Sequence, residues 1–334
     1  MALLEVKNLS VVFDGAAGPV RAVNDLSYTL TAGETLGIVG ESGSGKSVHA
    51  LAMVGLLASA GRVTGGEVWF DGRDLLRLSR RERRAVWGRE IGFVFQDPMT
   101  SLNPVLTIER QVAEPLRRHL GLSARAAREQ VVELLDRVGI VNPRQRLSQY
   151  PHEFSGGMRQ RVMIAIGIAC RPKLLIADEA TTALDVTVQA QILALVRDLK
   201  RQIGTTVIWI THDMGVVAGL ADTVQVMYGG RIMERGPVEA IFDAPRSAYT
   251  WGLLKSLPTT ARRGGGRLYQ IPGNPPDPAR LPPGDPFAPR NPFATERCLH
   301  EVPPLRQVAD GAPGHQVAAW YDLPALLAAQ GGAA

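Results

Sequence analysis

The chain has 334 residues, of which 45% are hydrophobic and 21% charged, and its formal net charge is +5. This length predicts two domains or one large domain with an appendage, and the composition excludes wholesale disorder. The longest apolar run has nine residues, from Val162 to Cys170, whereas a membrane-spanning helix needs about 20, so no such helix is expected.

Hydrophobic patterning predicts several strands in the N-terminal part of the chain. Residues 20–30 alternate apolar and polar side chains, as a half-buried strand requires. The other strands predicted in this part are 3–13, Leu36–Gly40, Glu67–Phe70 and Ile91–Phe95. The strand Leu36–Gly40 runs directly into a glycine-rich loop, and a helix is predicted after that loop, from Lys46 to about Leu57.

Residues 107–170 are predicted to be mostly helical. Within them, Ser123 fits the N-cap of a helix over 123–139. That helix carries an apolar stripe at the spacing i, i+3, i+4, i+7, formed by Val131, Leu134, Leu135 and Val138. Two buried strands, Leu174–Ala177 and Thr206–Ile210, then enclose a helix of about 187–202, an alternation that predicts a parallel sheet.

The C-terminal part differs in composition from the rest. Of the 23 prolines, 14 lie between Pro258 and the C-terminus. Segments rich in proline and glycine interrupt helices and strands. We therefore predict a boundary near residue 257, between a larger domain over 1–257 and an extension over 258–334.

One glycine-rich loop has the chemistry of a phosphate-binding site. Gly40-Glu41-Ser42-Gly43-Ser44-Gly45-Lys46-Ser47 fits the pattern G-x-x-x-x-G-K-[ST]. Its glycines let consecutive N–H groups turn toward phosphate oxygens, and the start of the following helix favours negative charge. Lys46 supplies a point charge, and Ser47 offers a hydroxyl to Mg²⁺. The predicted phosphate-binding residues are Gly40, Ser42, Gly43, Gly45, Lys46 and Ser47.

A second candidate half of the site is the buried strand Leu174–Ala177, which is followed by two carboxylates. A carboxylate at the tip of such a strand can hold the water shell of Mg²⁺, which suits Asp178. The next one can polarise an attacking water, which suits Glu179.

A third motif, Phe154-Ser155-Gly156-Gly157-Met158-Arg159-Gln160-Arg161, precedes an apolar helix. Ser155 and two glycines at a helix start provide a hydroxyl, N–H groups and the positive end of the helix dipole, which together suit an anion. An ordinary serine N-cap explains Ser155 but not the glycine pair Gly156-Gly157 with Gln160.

With these motifs, the chain resembles an ABC-transporter ATPase subunit, whose signature is Ser-Gly-Gly-x-x-Gln. The remaining family features occur in the expected order. Gln96 corresponds to the Q-loop, Asp185 in Ala183-Leu184-Asp185 to the D-loop, His212 to the switch histidine and Phe13 to the aromatic residue that stacks on adenine. The resemblance implies a P-loop α/β fold of ABC type, with a RecA-like core, an antiparallel β subdomain, a helical subdomain at about 97–170 and the C-terminal extension.

The resemblance also implies a mechanism in which two such subunits pair head to tail around ATP. Glu179, His212 and Gln96 are the implied catalytic residues, and Ser47, Gln96 and Asp178 are the implied Mg²⁺ ligands. The signature residues Ser155, Gly156, Gly157 and Gln160, together with Asp185 and Phe13, are implied to contact nucleotide, with Ser155 and Gly157 acting on the partner's ATP. One chain carries one phosphate loop and one signature, so a second ATPase chain is required.

Longer strings point to one branch of the family. Residues 95–104, 181–191 and 281–293 resemble segments of bacterial oligopeptide/dipeptide importers. This branch implies a second ATPase subunit, two membrane permeases, an extracytoplasmic binding protein and a peripheral position on the cytoplasmic face of the inner membrane. The N-terminus shows no secretory signal pattern, and the chain has only two cysteines, which agrees with an intracellular chain. Importers of nickel chelates or glutathione are close alternatives for the substrate.

The sequence departs from the branch in two places. Ala180 replaces the usual proline after the catalytic glutamate. Four cysteines that bind an iron–sulfur cluster in many members correspond here to Asp285, Asn291, Cys298 and Ala319. A [4Fe–4S] cluster needs four ligands, normally thiolates, so we predict no cluster.

Two other functions fit the sequence less well. A soluble ABC ATPase acting on nucleic acid or ribosomes would carry a long coiled coil or a second phosphate loop, and the sequence has neither. The basic segment Arg77–Arg89 is interpreted as a solvated helix face, and no nucleic-acid partner is predicted. A non-hydrolysing regulatory subunit is the other alternative, but Lys46, Asp178, Glu179 and His212 are all present.

Overall fold

The computed structural model describes residues 2–15, 18–181, 184–258 and 269–331. The strands, in chain order, are β1 (Ala2–Gly15), β2 (Gly18–Thr31), β3 (Thr35–Val39), β4 (Gly61–Phe70), β5 (Arg73–Asp74), β6 (Ile91–Val94), β7 (Leu174–Asp178), β8 (Thr206–Thr211), β9 (Thr223–Tyr228), β10 (Arg231–Pro237), β11 (Arg306–Gln307) and β12 (Gln316–Val317). The helices are α1 (Lys46–Met53), α2 (Arg80–Val86), α3 (Pro98–Ser101), α4 (Ile108–Leu120), α5 (Ala124–Arg137), α6 (Pro143–Arg146), α7 (Gly156–Ile168), α8 (Val186–Ile203), α9 (Met214–Leu220), α10 (Val238–Asp243), α11 (Ala248–Lys255), α12 (Glu296–His300) and α13 (Leu323–Gly331). Short 3-10 helices occur at Pro151–Glu153 and Ala288–Arg290.

These elements form two compact units. The signature unit is built from Arg77–Ile210 together with Thr31–Thr35 and the N-terminal residue Ala2. The phosphate-loop unit comprises Leu3–Leu30, Leu36–Leu76 and the chain from Thr211 onward. The second unit therefore contains both the predicted phosphate loop and the proline-rich extension.

The signature unit contains a parallel sheet in which β7 lies between β6 and β8. Every residue of β7 and β8 is buried, as expected for parallel strands covered on both faces. Helix α5 begins after Ser123, whose side chain accepts a hydrogen bond from the N–H of Ala126. The predicted apolar stripe of α5 is buried, so the sequence prediction for this helix is confirmed.

The phosphate-loop unit contains strands of two sheets. In one, β3 runs parallel to β9, β10 is antiparallel to β9, and β12 of the extension is antiparallel to β10. In the other, the strands follow the order β2-β1-β4-β5. Because β12 extends the sheet that contains β3, the extension is part of the same folded unit as the strand that leads into the phosphate loop.

The extension also supplies side chains to the core of this unit. Phe287 lies 5.3 Å from Tyr228 and 5.1 Å from Tyr249, measured between ring centroids. The two tyrosine rings are themselves 4.6 Å apart. Buried aromatic residues contribute large apolar areas to a core. Residues of β9, α11 and the extension therefore form one aromatic cluster.

The structure corrects two predicted boundaries. Helix α1 ends at Met53, earlier than the predicted Leu57, because Gly55 adopts a positive φ of 65°. The N–H of Leu56 donates to the carbonyl of Leu51, and that of Gly55 donates to Ala52, which is the Schellman pattern that closes a helix. Strand β4 begins at Gly61 rather than at Glu67, because pairing with β1 extends it toward the N-terminus.

The basic segment Arg77–Arg89 contains α2, which begins with a capping box between Ser79 and Glu82. Arg80, Arg81 and Arg84 are exposed, in agreement with the predicted solvated helix face. Among the residues that the structure describes, no helix is both long and apolar enough to cross a membrane.

Candidate functional site

The phosphate loop needs glycine at two positions for steric reasons. Gly40 has φ 155°, and a Cβ atom there would lie 2.1 Å from the carbonyl oxygen of Met227. Gly45 has φ 95°, and a Cβ atom there would lie 2.4 Å from the carbonyl oxygen of Ala22. Real Cβ atoms do not approach backbone oxygens this closely, so a side chain at either position would displace the loop. The loop is thus packed tightly against β2 and β9.

Lys46, the first residue of α1, is bonded to the loop that precedes it. Its Nζ donates to the carbonyl oxygens of Gly40 at 2.7 Å and Glu41 at 2.9 Å, and to Ser44 Oγ at 3.3 Å. The residue is only 4% exposed. These bonds fix the ammonium group inside the curve of the loop, where it would face a bound phosphate.

Helix α1 is anchored to β2 by a buried polar pair. The Nε2 atom of His49 and the hydroxyl of Tyr28 are 2.7 Å apart. Burial lowers the pKa of His49 to about 4, so the imidazole is neutral at physiological pH. The helix that carries Lys46 is therefore held without adding a positive charge beneath the loop.

Glu41, a variable position of the loop motif, is held by residues that the sequence did not single out. Its carboxylate accepts two hydrogen bonds from Arg290 of the extension, at 2.6 and 3.1 Å. Its N–H donates to the hydroxyl of Tyr249 at 2.8 Å. Arg290 is 249 positions away in the sequence, so no local pattern could reveal this contact.

In the signature unit, the structure brings two predicted catalytic residues together. Gln96 follows β6 and Glu179 follows β7, and these strands are parallel neighbours. Gln96 Nε2 donates to Glu179 Oε2 at 2.7 Å. The adjacent Asp178 is the buried last residue of β7. The carboxylate and the amide therefore lie at one edge of the sheet, as parallel strand ends require.

The backbone of Glu179 has an unusual conformation. Its φ is 46°, a left-handed value that costs about 1–3 kcal/mol for a residue other than glycine. Its N–H donates to the carbonyl oxygen of Ile210 at 2.9 Å, which pins the turn to the end of β8. Ala180, the position where the family usually has proline, is buried. The neighbouring strand thus holds the turn that aims Glu179.

The signature motif forms the start of α7. Ser155 is the N-cap, and its Oγ accepts a hydrogen bond from the N–H of Met158 at 3.4 Å. A Cβ atom on Gly157 would lie 2.8 Å from Val188 of α8, whereas one on Gly156 would meet nothing within 4 Å. Gln160 is 2% exposed, and its Nε2 has no hydrogen-bond partner among the described residues.

The remaining predicted site residues occupy separate places. Asp185 is the N-cap of α8 and accepts from the N–H of Val188 at 2.9 Å, while Ala183 of the same predicted D-loop lies outside the described residues. His212 is exposed, between β8 and α9. Phe13 is near the end of β1, with its ring against Gly61 of β4. Their roles toward nucleotide stay predictions.

The four positions of the extension that correspond to cluster ligands are all buried. Asp285 and Asn291 each accept a backbone N–H two residues later, from Phe287 and Phe293. Cys298 Sγ lies 3.3 Å from the hydroxyl of Thr295. The fourth position, Ala319, has no donor atom in its side chain. One thiol and two locally bonded side chains do not fit a [4Fe–4S] cluster, which needs four ligands.

Asp285 makes the folding stability depend on pH, because its carboxyl is buried. It is fully buried, and burial raises the pKa of its carboxyl from 3.8 to about 6, with the N–H of Phe287 opposing the rise. A carboxyl whose pKa is raised by folding contributes stability at low pH, and this contribution is lost as the pH rises through the folded pKa of about 6.

We therefore expect Asp285→Asn to raise the free energy of unfolding at about pH 8 by about 3 kcal/mol, and to change it little at about pH 4. Denaturant unfolding at both pH values measures the effect. Asp277→Asn is the matched control, because Asp277 makes the same bond to a backbone N–H two residues later but is exposed. An equal gain in both variants, or none at high pH, would contradict the assignment.

Comparison with known families identifies two matching regions. Residues 23–182 match the family described as ABC transporter. Residues 233–298 match the family described as oligopeptide/dipeptide transporter, C-terminal region. The second match includes Asp285, Arg290 and Cys298, so it covers the part of the extension that contacts the phosphate loop.

Similar proteins cover nearly the whole chain. The chain is 52% identical over 319 residues to the oligopeptide transport ATP-binding protein OppD of Bacillus subtilis, which covers 95% of this chain and 88% of that protein. It is 50% identical over 311 residues to the dipeptide transport ATP-binding protein DppD of Escherichia coli, with 93% and 95% covered.

Two solved structures resemble the chain at 28% identity. A dimeric ATP-binding cassette in a post-hydrolysis state bound to ADP and Pi superimposes with a TM-score of 0.64, over 70% of this chain and 98% of that chain. The cbiO1 protein of Clostridium perfringens, part of an ABC transporter complex, gives a TM-score of 0.62 over 73% and 91%. Each comparison covers at least 91% of the solved chain and at least 70% of this chain.

Proposed function

This chain belongs to the ATP-binding subunits of the ABC transporter family, in the oligopeptide/dipeptide branch, and on that basis we propose that it is the ATP-hydrolysing motor of a peptide importer. The observation that carries the catalytic part is the 2.7 Å hydrogen bond from Gln96 to Glu179, beside Asp178 at the end of β7. A glutamate carboxylate at this strand end can take a proton from an attacking water.

In this proposal, Glu179 polarises the water that attacks the γ-phosphate of ATP, and Gln96 orients it. Lys46 and the N–H groups of the phosphate loop hold the phosphates of the substrate. Mg²⁺, when bound, neutralises charge on the phosphates. Ser47, Gln96 and Asp178 provide the oxygen atoms that this hard cation prefers.

We further propose that Ser155 and Gly157 act on ATP bound to a second ATPase subunit, and that Gly156 contacts nucleotide. The hydroxyl and N–H groups at the start of α7 suit an anion. A single chain carries one such motif and one phosphate loop. The dimeric state named for a related cassette supports the same arrangement. Gln160, Asp185, His212 and Phe13 keep the nucleotide-contacting or catalytic roles that the family resemblance implies.

The proposed partners are a second ATPase subunit, two membrane permeases and an extracytoplasmic peptide-binding protein. The names of the relatives, which describe oligopeptide and dipeptide transport, support this assignment. The chain would then act at the cytoplasmic face of the bacterial inner membrane, as a peripheral subunit.

Co-purification tests the proposal. A tagged copy of the chain is expressed in its own cells, membranes are solubilised in detergent, and the co-purifying proteins are identified by mass spectrometry. We expect permease subunits and a paralogous ATPase in about equal amounts, and ATP-dependent uptake of labelled di- and oligopeptides that the purified complex restores in vesicles.

The same vesicles distinguish the alternatives. Uptake of labelled nickel chelate or glutathione without peptide uptake would overturn the peptide assignment. Recovery of ribosomes or nucleic acid without permeases would overturn the importer assignment itself.

A further inference from the structure

Glu41 is a residue of the loop that would bind a triphosphate, and its side chain carries a carboxylate. Like charges at close range repel one another, so an unpaired carboxylate in this loop would weaken nucleotide binding. The structure pairs it with Arg290 in a two-point salt bridge, with N···O distances of 2.6 and 3.1 Å. Such a fork arrangement is specific to arginine and stronger than a single contact.

Arg290 makes further hydrogen bonds besides those to Glu41. Its Nε donates to the carbonyl oxygen of Pro272 at 2.8 Å, and its Nη1 also donates to the hydroxyl of Tyr228 at 3.0 Å. The residue is 7% exposed and lies in the 3-10 helix Ala288–Arg290. The guanidinium therefore cannot move away from Glu41 without breaking its hydrogen bonds to Pro272 and Tyr228.

The extension contacts the loop at further points. Pro286 of the extension packs against Gly229, where an added Cβ atom would lie only 2.8 Å from it. Gly230, which follows Gly229, donates its N–H to the carbonyl oxygen of Ser44 in the loop. Pro275, Pro276 and Pro278 line the same small cavity as Ser42 and Gly43. Residues of the extension therefore lie beside the phosphate loop.

We propose that the C-terminal extension sets the nucleotide affinity of this subunit, with Arg290 as a positioning residue that neutralises the Glu41 carboxylate and holds the phosphate loop in its binding shape. This inference rests on the proposed ATPase function. It assigns the extension a role that needs no metal cluster, because all the contacts come from side chains and backbone atoms of the chain itself.

The charge argument predicts an asymmetry between the two partners. Arg290→Gln leaves Glu41 unpaired beside the phosphates, so the dissociation constant for MgADP should rise about tenfold, a change of about 1.4 kcal/mol. Glu41→Gln removes the repelling charge and should not weaken binding. A purely structural salt bridge would instead give similar losses in both variants.

The decisive experiment measures MgADP binding to the purified full chain by isothermal titration, and ATP hydrolysis at varied ATP with the purified complex that contains the partner ATPase and the permeases. We expect Arg290→Gln to raise KM for ATP about tenfold, in line with the loss of binding, and to change kcat within about twofold. The double variant Arg290→Gln with Glu41→Gln should return to within about threefold of wild-type affinity, since the unpaired carboxylate is gone.

The matched control is Asp310→Ala. It removes another arginine–carboxylate pair, in which Asp310 of the extension lies 3.1 Å from Arg246, a residue outside the phosphate loop. Asp310 is 73% exposed, so its loss should leave the affinity for MgADP unchanged.

The outcomes separate the two proposals. If wild-type protein neither binds nor hydrolyses nucleotide, the proposed function fails. If wild-type protein is active and Arg290→Gln binds normally, or the double variant binds as weakly as Arg290→Gln, the inference about Arg290 is overturned.

Thermal unfolding is recorded for each variant. If Arg290→Gln does not fold, the double variant decides: a folded double variant with restored binding supports the proposal, and an unfolded one contradicts it.

Discussion

Substitution of Glu179 by glutamine is expected to lower ATP turnover by about 100-fold or more, the size of a general-base contribution, and to leave ATP binding intact. Glutamine has nearly the same shape and keeps an oxygen that can accept the hydrogen bond from Gln96, now 2.7 Å from Glu179. It removes the negative charge that draws a proton from water. The loss should therefore appear in kcat and not in the affinity for ATP.

Steady-state hydrolysis and size-exclusion chromatography with light scattering measure this prediction. Because the variant removes the γ-phosphate much more slowly, it should accumulate as an ATP-bound dimer of ATPase subunits. Glu133→Gln is a suitable control, since Glu133 is exposed on α5 and far from any predicted site residue in the sequence. Unchanged turnover in Glu179→Gln would remove Glu179 from the catalytic role.

The second large effect is expected at Lys46. Replacement by alanine should raise the dissociation constant for ATP roughly 100-fold, because hydrogen bonds to charged groups are worth about 1.5–3 kcal/mol each and Lys46 can donate more than one. The substitution also removes the donor that holds the carbonyl oxygens of Gly40 and Glu41, at 2.7 and 2.9 Å. Both the charge and the curvature of the loop are lost together.

Arginine at the same position tests whether charge alone suffices. Lys46→Arg keeps the charge, but a planar guanidinium cannot reach Gly40, Glu41 and Ser44 from one compact point, so binding should remain weak. Lys7→Ala, which removes an exposed lysine that pairs with Glu5 and lies over the ring of Trp69, serves as the control. Wild-type affinity in Lys46→Ala, measured by titration calorimetry, would show that Lys46 does not bind phosphate.

The sequence was sufficient for the family and for the fold class. The phosphate loop, the strand ending at Asp178 and the signature after Phe154 are local patterns, and the P-loop ABC fold predicted from them is confirmed by the family and structural comparisons. The assignment to the oligopeptide/dipeptide branch is confirmed by relatives that cover more than nine-tenths of the chain. The individual roles of the site residues stay predictions.

The structure differs from the predictions at one local helix end and at one turn that a tertiary contact holds. The pattern after Lys46 predicts a longer helix, but Gly55 takes a positive φ and ends it at Met53. The left-handed turn at Glu179 was also not predictable, since glutamate does not favour that conformation and the bond to Ile210 stabilises it.

The proline-rich extension shows most clearly which features follow from the sequence and which appear only in the tertiary structure. Its composition indicates a separate C-terminal part. The boundary near residue 257 stays a prediction. The sequence also shows that only one of the four positions corresponding to cluster ligands is a cysteine. Chain composition and short motifs are read residue by residue, so they determine which chemistry is available. The contact of Arg290 with Glu41 joins residues 249 positions apart, and it exists only because folding packs Phe287 against Tyr228 and Tyr249. The tertiary structure alone therefore decided that the extension reaches the phosphate loop.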